Sequence, residues 1–151
     1  YYYGHGVDKD LEKATEFFKK AADSGDIKAM SQLAIFYKQG YGNPKNRDQE
    51  ILRLYERAAE EGDDFAQCEL GNMYSYGKIV KVDPEKSVYY YKLAADQGNS
   101  IAINSLGFHY STKDIDYDES FKWYKKGMKL KSKNSYPTLN TAYSSKVPKQ
   151  Q

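Results

Sequence analysis

One short text recurs three times along the chain at a nearly fixed interval. Ala21-Ala22-Asp23-Ser24-Gly25 leads to Ala29, Leu33, Ala34 and Tyr37. Ala58-Ala59-Glu60-Glu61-Gly62 leads to Ala66, Leu70, Gly71 and Tyr74. Ala94-Ala95-Asp96-Gln97-Gly98 leads to Ala102, Leu106, Gly107 and Tyr110. The three glycines lie 37 and 36 residues apart, and so do Ala29, Ala66 and Ala102. A period in this range marks stacked supersecondary units, none of which can bury its apolar face alone.

Each copy reads as the end of one helix, a glycine turn and the start of the next. Apolar residues at helical spacing predict helices over about 10–24, 27–39, 48–61, 64–76, 84–97, 100–111 and 118–131. In the first, Leu11, Ala14, Phe17, Phe18, Ala21 and Ala22 are expected on one apolar face. Gly25 ends that helix, since glycine accepts the left-handed conformation of a helix stop. Asp83-Pro84 supplies a cap and a first-turn proline for the fifth.

The chain is expected to open in mid-unit, as a piece of a longer array. Gly4-His5-Gly6 then stands as a hairpin loop, like Gly40-Tyr41-Gly42. Residues 1–28 form the second half of a truncated unit, and 29–65, 66–101 and 102–134 form whole units. Ser135, Leu139 and Tyr143 keep the spacing of Ala29, Leu33 and Tyr37, so 135–143 is expected to be a partial last helix and 144–151 a tail.

Small side chains mark close approach between helices: Ala29, Ala66 and Ala102, then Ala34, Gly71 and Gly107. A glycine inside a helix costs roughly 1 kcal/mol against alanine, so Gly71 and Gly107 point to tight packing. Large residues fill the gaps at matching offsets: Leu33, Leu70 and Leu106, and Phe18, Tyr55, Tyr91 and Tyr124.

The pattern Ala-x3-Leu-Gly-x2-Tyr-x2-Gly, an acidic residue, an aromatic and Ala-Ala-x2-Gly resembles the Sel-one-like repeat (SLR) family. That family is a tetratricopeptide-like branch of α/α repeats. Ala66 to Ile101 carries the pattern most fully, and the resemblance covers about Tyr1 to Met128. Lys113 stands where the loop glycine belongs, and Gly127 and Lys131 replace an alanine and the turn glycine. The last unit is therefore degenerate, as terminal units often are. The resemblance implies an all-α fold, a right-handed α/α superhelical solenoid of about four stacked hairpins. It also implies a protein–protein interaction scaffold or adaptor with no enzymatic activity and no cofactor.

The residues themselves carry no recognisable catalytic or metal-binding arrangement. His5 and His109 are the only histidines, and with one cysteine they make no metal-ligand spacing. Cys68 cannot form an internal disulfide, so nothing implies an oxidising compartment, and a cytoplasmic setting is expected. No run of about 18 apolar residues exists to span a membrane.

In such a stack, the positions of the inner helices between the packing anchors form a concave wall. Here they are Ser31, Ile35 and Lys38, then Cys68, Asn72 and Ser75, then Asn104, Phe108 and Ser111. Apolar residues rimmed by amides and hydroxyls suit a partner peptide or helix. Charge offers an alternative. From Ser120 to Gln151 there are eight lysines and no acid, within a chain of net charge +2. That basic C-terminal end suits an acidic partner, an anionic membrane or RNA, making a helical-repeat nucleic-acid-binding module the alternative reading. Phe121 and Tyr124 are expected in core slots, which leaves these lysines as a solvated helix face.

Overall fold

The computed structural model describes residues 2–134, with side chains described from 9 to 131. The expected partial helix at 135–143 and the tail lie outside the described residues. Seven helices follow one another: α1 (Tyr2–Asp23), α2 (Ile27–Gln39), α3 (Arg47–Glu60), α4 (Asp64–Tyr76), α5 (Pro84–Asp96), α6 (Ser100–Thr112) and α7 (Tyr117–Asn134). No strand occurs among the described residues. The fold class is an all-α repeat solenoid. The chain forms two compact units, one from Tyr1 to Asn99 and one from Ser100 onward.

The recurring glycines occupy equivalent bends. Gly25, Gly62 and Gly98 have φ of 97°, 93° and 90°. Nothing lies within 4 Å of a Cβ built at Gly25 or Gly62, so the backbone conformation, not crowding, requires glycine there. The paired alanines supply the carbonyls that close each bend. Gly62 N–H donates to Ala59 O and Asp63 N–H to Ala58 O, both at 3.0 Å. The same pair forms at Gly25 and Asp26, and at Gly98 and Asn99. This is the two-bond helix stop in which the left-handed residue and its successor satisfy the last free carbonyls. Asp26 and Asp63 then cap the next helix, accepting from the backbone N–H of Ala29 and Ala66.

One expected bend is absent. Gly4-His5-Gly6 lies inside α1, which runs from Tyr2 without a break. At Gly40 the turn is closed by bonds to the carbonyls of Phe36 and Tyr37. Glycine accepts helical backbone angles as well as positive φ, so a Gly-x-Gly spacing does not by itself fix a bend.

In the first unit the core runs through α1 to α4 around Met30, Leu33, Ile51, Tyr55 and Leu70, all at most 3% exposed. Phe18 joins it, half-buried and tilted against Phe36 at 5.5 Å between ring centres. Phe17, expected on the same face, is 67% exposed. Consecutive helical residues point about 100° apart, so this tandem cannot face one core together.

The glycines inside helices seat aromatic rings. A Cβ on Gly71 would lie 2.6 Å from the Tyr91 ring, and one on Gly107 would lie 2.7 Å from the Tyr124 ring. Four residues before each ring, a serine completes the contact. Ser87 Oγ donates to Gly71 O at 2.9 Å, and Ser120 Oγ donates to Gly107 O at 2.8 Å.

The second unit corrects two expectations about α7. Phe121 is 64% exposed, whereas Trp123 is 5% exposed and takes the buried place. Tyr124 packs on Gly107 but remains 39% exposed. Lys113 replaces the loop glycine without losing the helix stop. Its N–H and that of Asp114 both donate to His109 O, as Gly77 and Lys78 donate to Met73 O.

Candidate partner-binding surface

In the first unit, α2 and α4 present the stripes marked by the sequence, but their residues differ in what they offer. Ser31 is 5% exposed, and its Oγ donates to Asp63 Oδ2 at 2.6 Å. The Asp63 side chain also caps Ala66 and receives Lys28 Nζ at 3.5 Å. The Ser31 hydroxyl therefore ties α2 to the start of α4. Lys38 Nζ meets Glu69 Oε2 at 2.9 Å, a second bond between these helices. Ile35 is half-buried.

On α4, Cys68 is 3% exposed. Burial, then the nearby Glu69 and Asp64 carboxylates, push its thiol up to about 12. A protonated, covered thiol is a packing group rather than a nucleophile. Asn72 is half-buried and accepts a hydrogen bond from the Tyr91 hydroxyl. Ser75 is half-buried. In the second unit, α6 turns Asn104 and Phe108 outward, and Phe108 is 56% exposed. Ser111 Oγ donates back to Phe108 O at 2.9 Å.

The first unit contains a groove of about 440 Å³ that brings Ser31 and Ile35 together with residues outside the two stripes. Phe17, Phe18 and Ala21 of α1 line it, with Gln32 of α2 and Phe65 of α4. Phe65 is 37% exposed. The polar pair Ser31 and Asp63 also lines this space, already bonded to each other. Two clues to these residues were present in the sequence. The Phe17-Phe18 tandem leaves one ring outside any single face, and Phe65 sits in a helix first turn just before the packing anchor Ala66.

Among the described residues, no group of three or more His, Cys, Asp or Glu could hold a metal ion. No described helix is long and apolar enough to cross a membrane.

Comparison with known proteins places these features in a wider set. A family model described as "Sel1 repeat" matches residues 1–26, 27–63, 64–99 and 100–131. Human protein sel-1 homolog 2 is 37% identical over 102 residues, covering 68% of this chain and 15% of that protein. The chain thus spans about a seventh of the length of that curated relative. Among solved structures, a protective antigen of uropathogenic Escherichia coli strains, described as having an SLR fold, superposes with a TM-score of 0.72. It is 35% identical, over 80% of this chain and 26% of that one. A Sel1 repeat protein from Oxalobacter formigenes gives a TM-score of 0.70 at 34% identity, over 83% of this chain and 53% of that one.

Proposed function

Because this chain belongs to the Sel1 repeat family, whose members generally act as protein–protein interaction scaffolds, we propose that it is a non-catalytic adaptor holding a partner's segment on its inner helical face. The groove of the first unit is the principal seat. The observation that supports this reading is the combination of exposed Phe17 and Phe65 with half-buried Ile35 around one space of about 440 Å³. Exposed apolar groups that share a groove, unlike scattered ones, favour a guest. Ser31 and Asp63 satisfy one another, so the groove offers apolar contact and little unused hydrogen bonding. A segment with apolar side chains one helical turn apart suits such walls. Lys28 and Gln32 lie at the same space and can meet the segment's polar side. In the second unit, Asn104 and Phe108 offer an outward stripe of the same chemistry.

Selection from a random displayed-peptide library against the intact protein tests this function. Enriched peptides should carry apolar residues at helical spacing. Their binding should fall at least about tenfold with Phe17→Ala and Ile35→Asp, since burying an aromatic or aliphatic side chain contributes about 1.5–3 kcal/mol. Peptides that bind both variants as they bind the parent would remove the groove from the account.

A further inference from the structure

Among the described residues of its unit, helix α7 keeps one face that their packing leaves unused. Its inward side is accounted for. Ser120 bonds Gly107 O, Trp123 is buried, and a Cβ on Gly127 would lie 3.2 Å from Ile103 Cγ2. Phe121 and Met128, by contrast, are 64% and 62% exposed. They stand seven residues apart, on one helical stripe. Lys122, Lys125, Lys129 and Lys131 are exposed around them, and Lys126 is half-buried. Glu119, which meets Lys122 at 3.5 Å, is the last acidic residue of the sequence. The whole chain carries only +2, so this positive field is local to one end of an otherwise net acidic chain.

The earlier hairpins are built differently at these positions. Where α7 has Met128, they have Ala22, Ala59 and Ala95, all buried. Where α7 has Phe121, they have buried Thr15 and half-buried Leu52 and Val88. Only α7 presents large apolar groups there, and it presents them within lysines.

We propose that this face of α7 docks on an anionic lipid surface. Phe121 and Met128 enter the boundary between headgroups and acyl chains, and the lysines meet the lipid phosphates and carboxylates. A cluster of lysines on a helix that also bears exposed apolar side chains is the arrangement by which a peripheral helix lies on an acidic leaflet. Among the described residues, the open space beside Phe121 is lined by Lys122, Lys125, Lys126 and Lys129 of α7 itself. Single-stranded nucleic acid would call for several open rings to stack on. Trp123 is buried beneath Lys122 and Lys126, whose Nζ atoms lie 5.6 and 5.2 Å from its ring centre, and Tyr124 is laid on Gly107. Of the α7 rings, Tyr117 and Phe121 stand most open, and Met128 would have no stacking role.

Co-sedimentation of the full chain with phosphatidylcholine vesicles, with and without phosphatidylserine, tests the proposal. Pelleting is expected only with phosphatidylserine, and it should weaken as salt rises. Lys125→Gln with Lys129→Gln should weaken it about thirtyfold. Phe121→Ser with Met128→Ser should weaken it about tenfold or more. Both pairs are on the surface, so the thermal midpoint should stay that of the parent. Failure to pellet with phosphatidylserine, or pelleting unchanged by either pair, overturns the proposal. So does salt-sensitive binding of oligouridine, lost in the lysine pair, by a chain that ignores the vesicles.

Discussion

The Ser31 hydroxyl and the Asp63 carboxylate meet at 2.6 Å, both almost fully buried, joining the inner helix of one hairpin to the cap of the next. Asp63 thus does two jobs, since the same side chain also holds the N–H of Ala66. Ser31→Ala should lower stability by about 1–3 kcal/mol, because a hydrogen bond to a buried charge is lost. Asp63→Ala should cost more, because the cap goes with it. Urea unfolding of both single variants and the double variant would measure the coupling; purely additive losses would show that the bond contributes nothing of its own.

Gly71→Ala should destabilise the protein by about 1–3 kcal/mol even though alanine is the better helix former. The added Cβ would lie 2.6 Å from the Tyr91 ring, and that ring is pinned by its hydroxyl on Asn72. Thermal unfolding checks this. A gain in midpoint would mean that Tyr91 moves aside at little cost.

Tyr55 and Tyr91 take equivalent places in successive hairpins, yet their hydroxyls fare differently. That of Tyr55 is buried with no hydrogen-bond partner among the described residues, while that of Tyr91 donates to Asn72. Tyr55→Phe should therefore be neutral or stabilising, and Tyr91→Phe should cost about 1 kcal/mol. Equal losses in paired denaturant titrations would contradict the contrast.

Ile79 holds φ at 71°, where the preceding hairpin has Gly42 at 78°. A β-branched residue is strained there. Ile79→Gly should raise stability by about 1 kcal/mol, read as a higher urea midpoint.

Stability should also fall in alkali. Burial raises the Cys68 thiol from about 9 to about 12, and it also raises the phenols of Tyr37, Tyr55 and Tyr90 above their usual value. A raised value in the fold means that the neutral form is favoured there. The contribution of Cys68 is complete below pH 9 and is lost as pH climbs toward 12. Unfolding free energy measured across that window should decline, and less steeply in Cys68→Ala. In neutral solution the native thiol should resist alkylation until denaturant is added.

Much of the architecture was legible in the residues. Gly25, Gly62 and Gly98 announced their bends because only glycine adopts that φ freely. Gly71 and Gly107 announced close contact because nothing else justifies their cost inside a helix. Leu33, Leu70 and Leu106 are all buried, as their spacing implied. The surface was less legible. Periodicity assigns a direction to each side chain but not the neighbour it meets there. Ser31 and Cys68 share a stripe with Ile35 and Asn72, yet they are covered while the others are half open.

The sequence by itself determined the repeat, the places where the chain turns and the side chains that form its spine, because these depend on local backbone conformation and on one helical period. Tertiary structure alone decided that Phe17, Phe65 and Phe121 stand open, that Trp123 is enclosed and that Ser31 is spent on Asp63. Exposure is a property of what packs alongside, and residues separated by 32 positions become neighbours only when one hairpin is laid against the next.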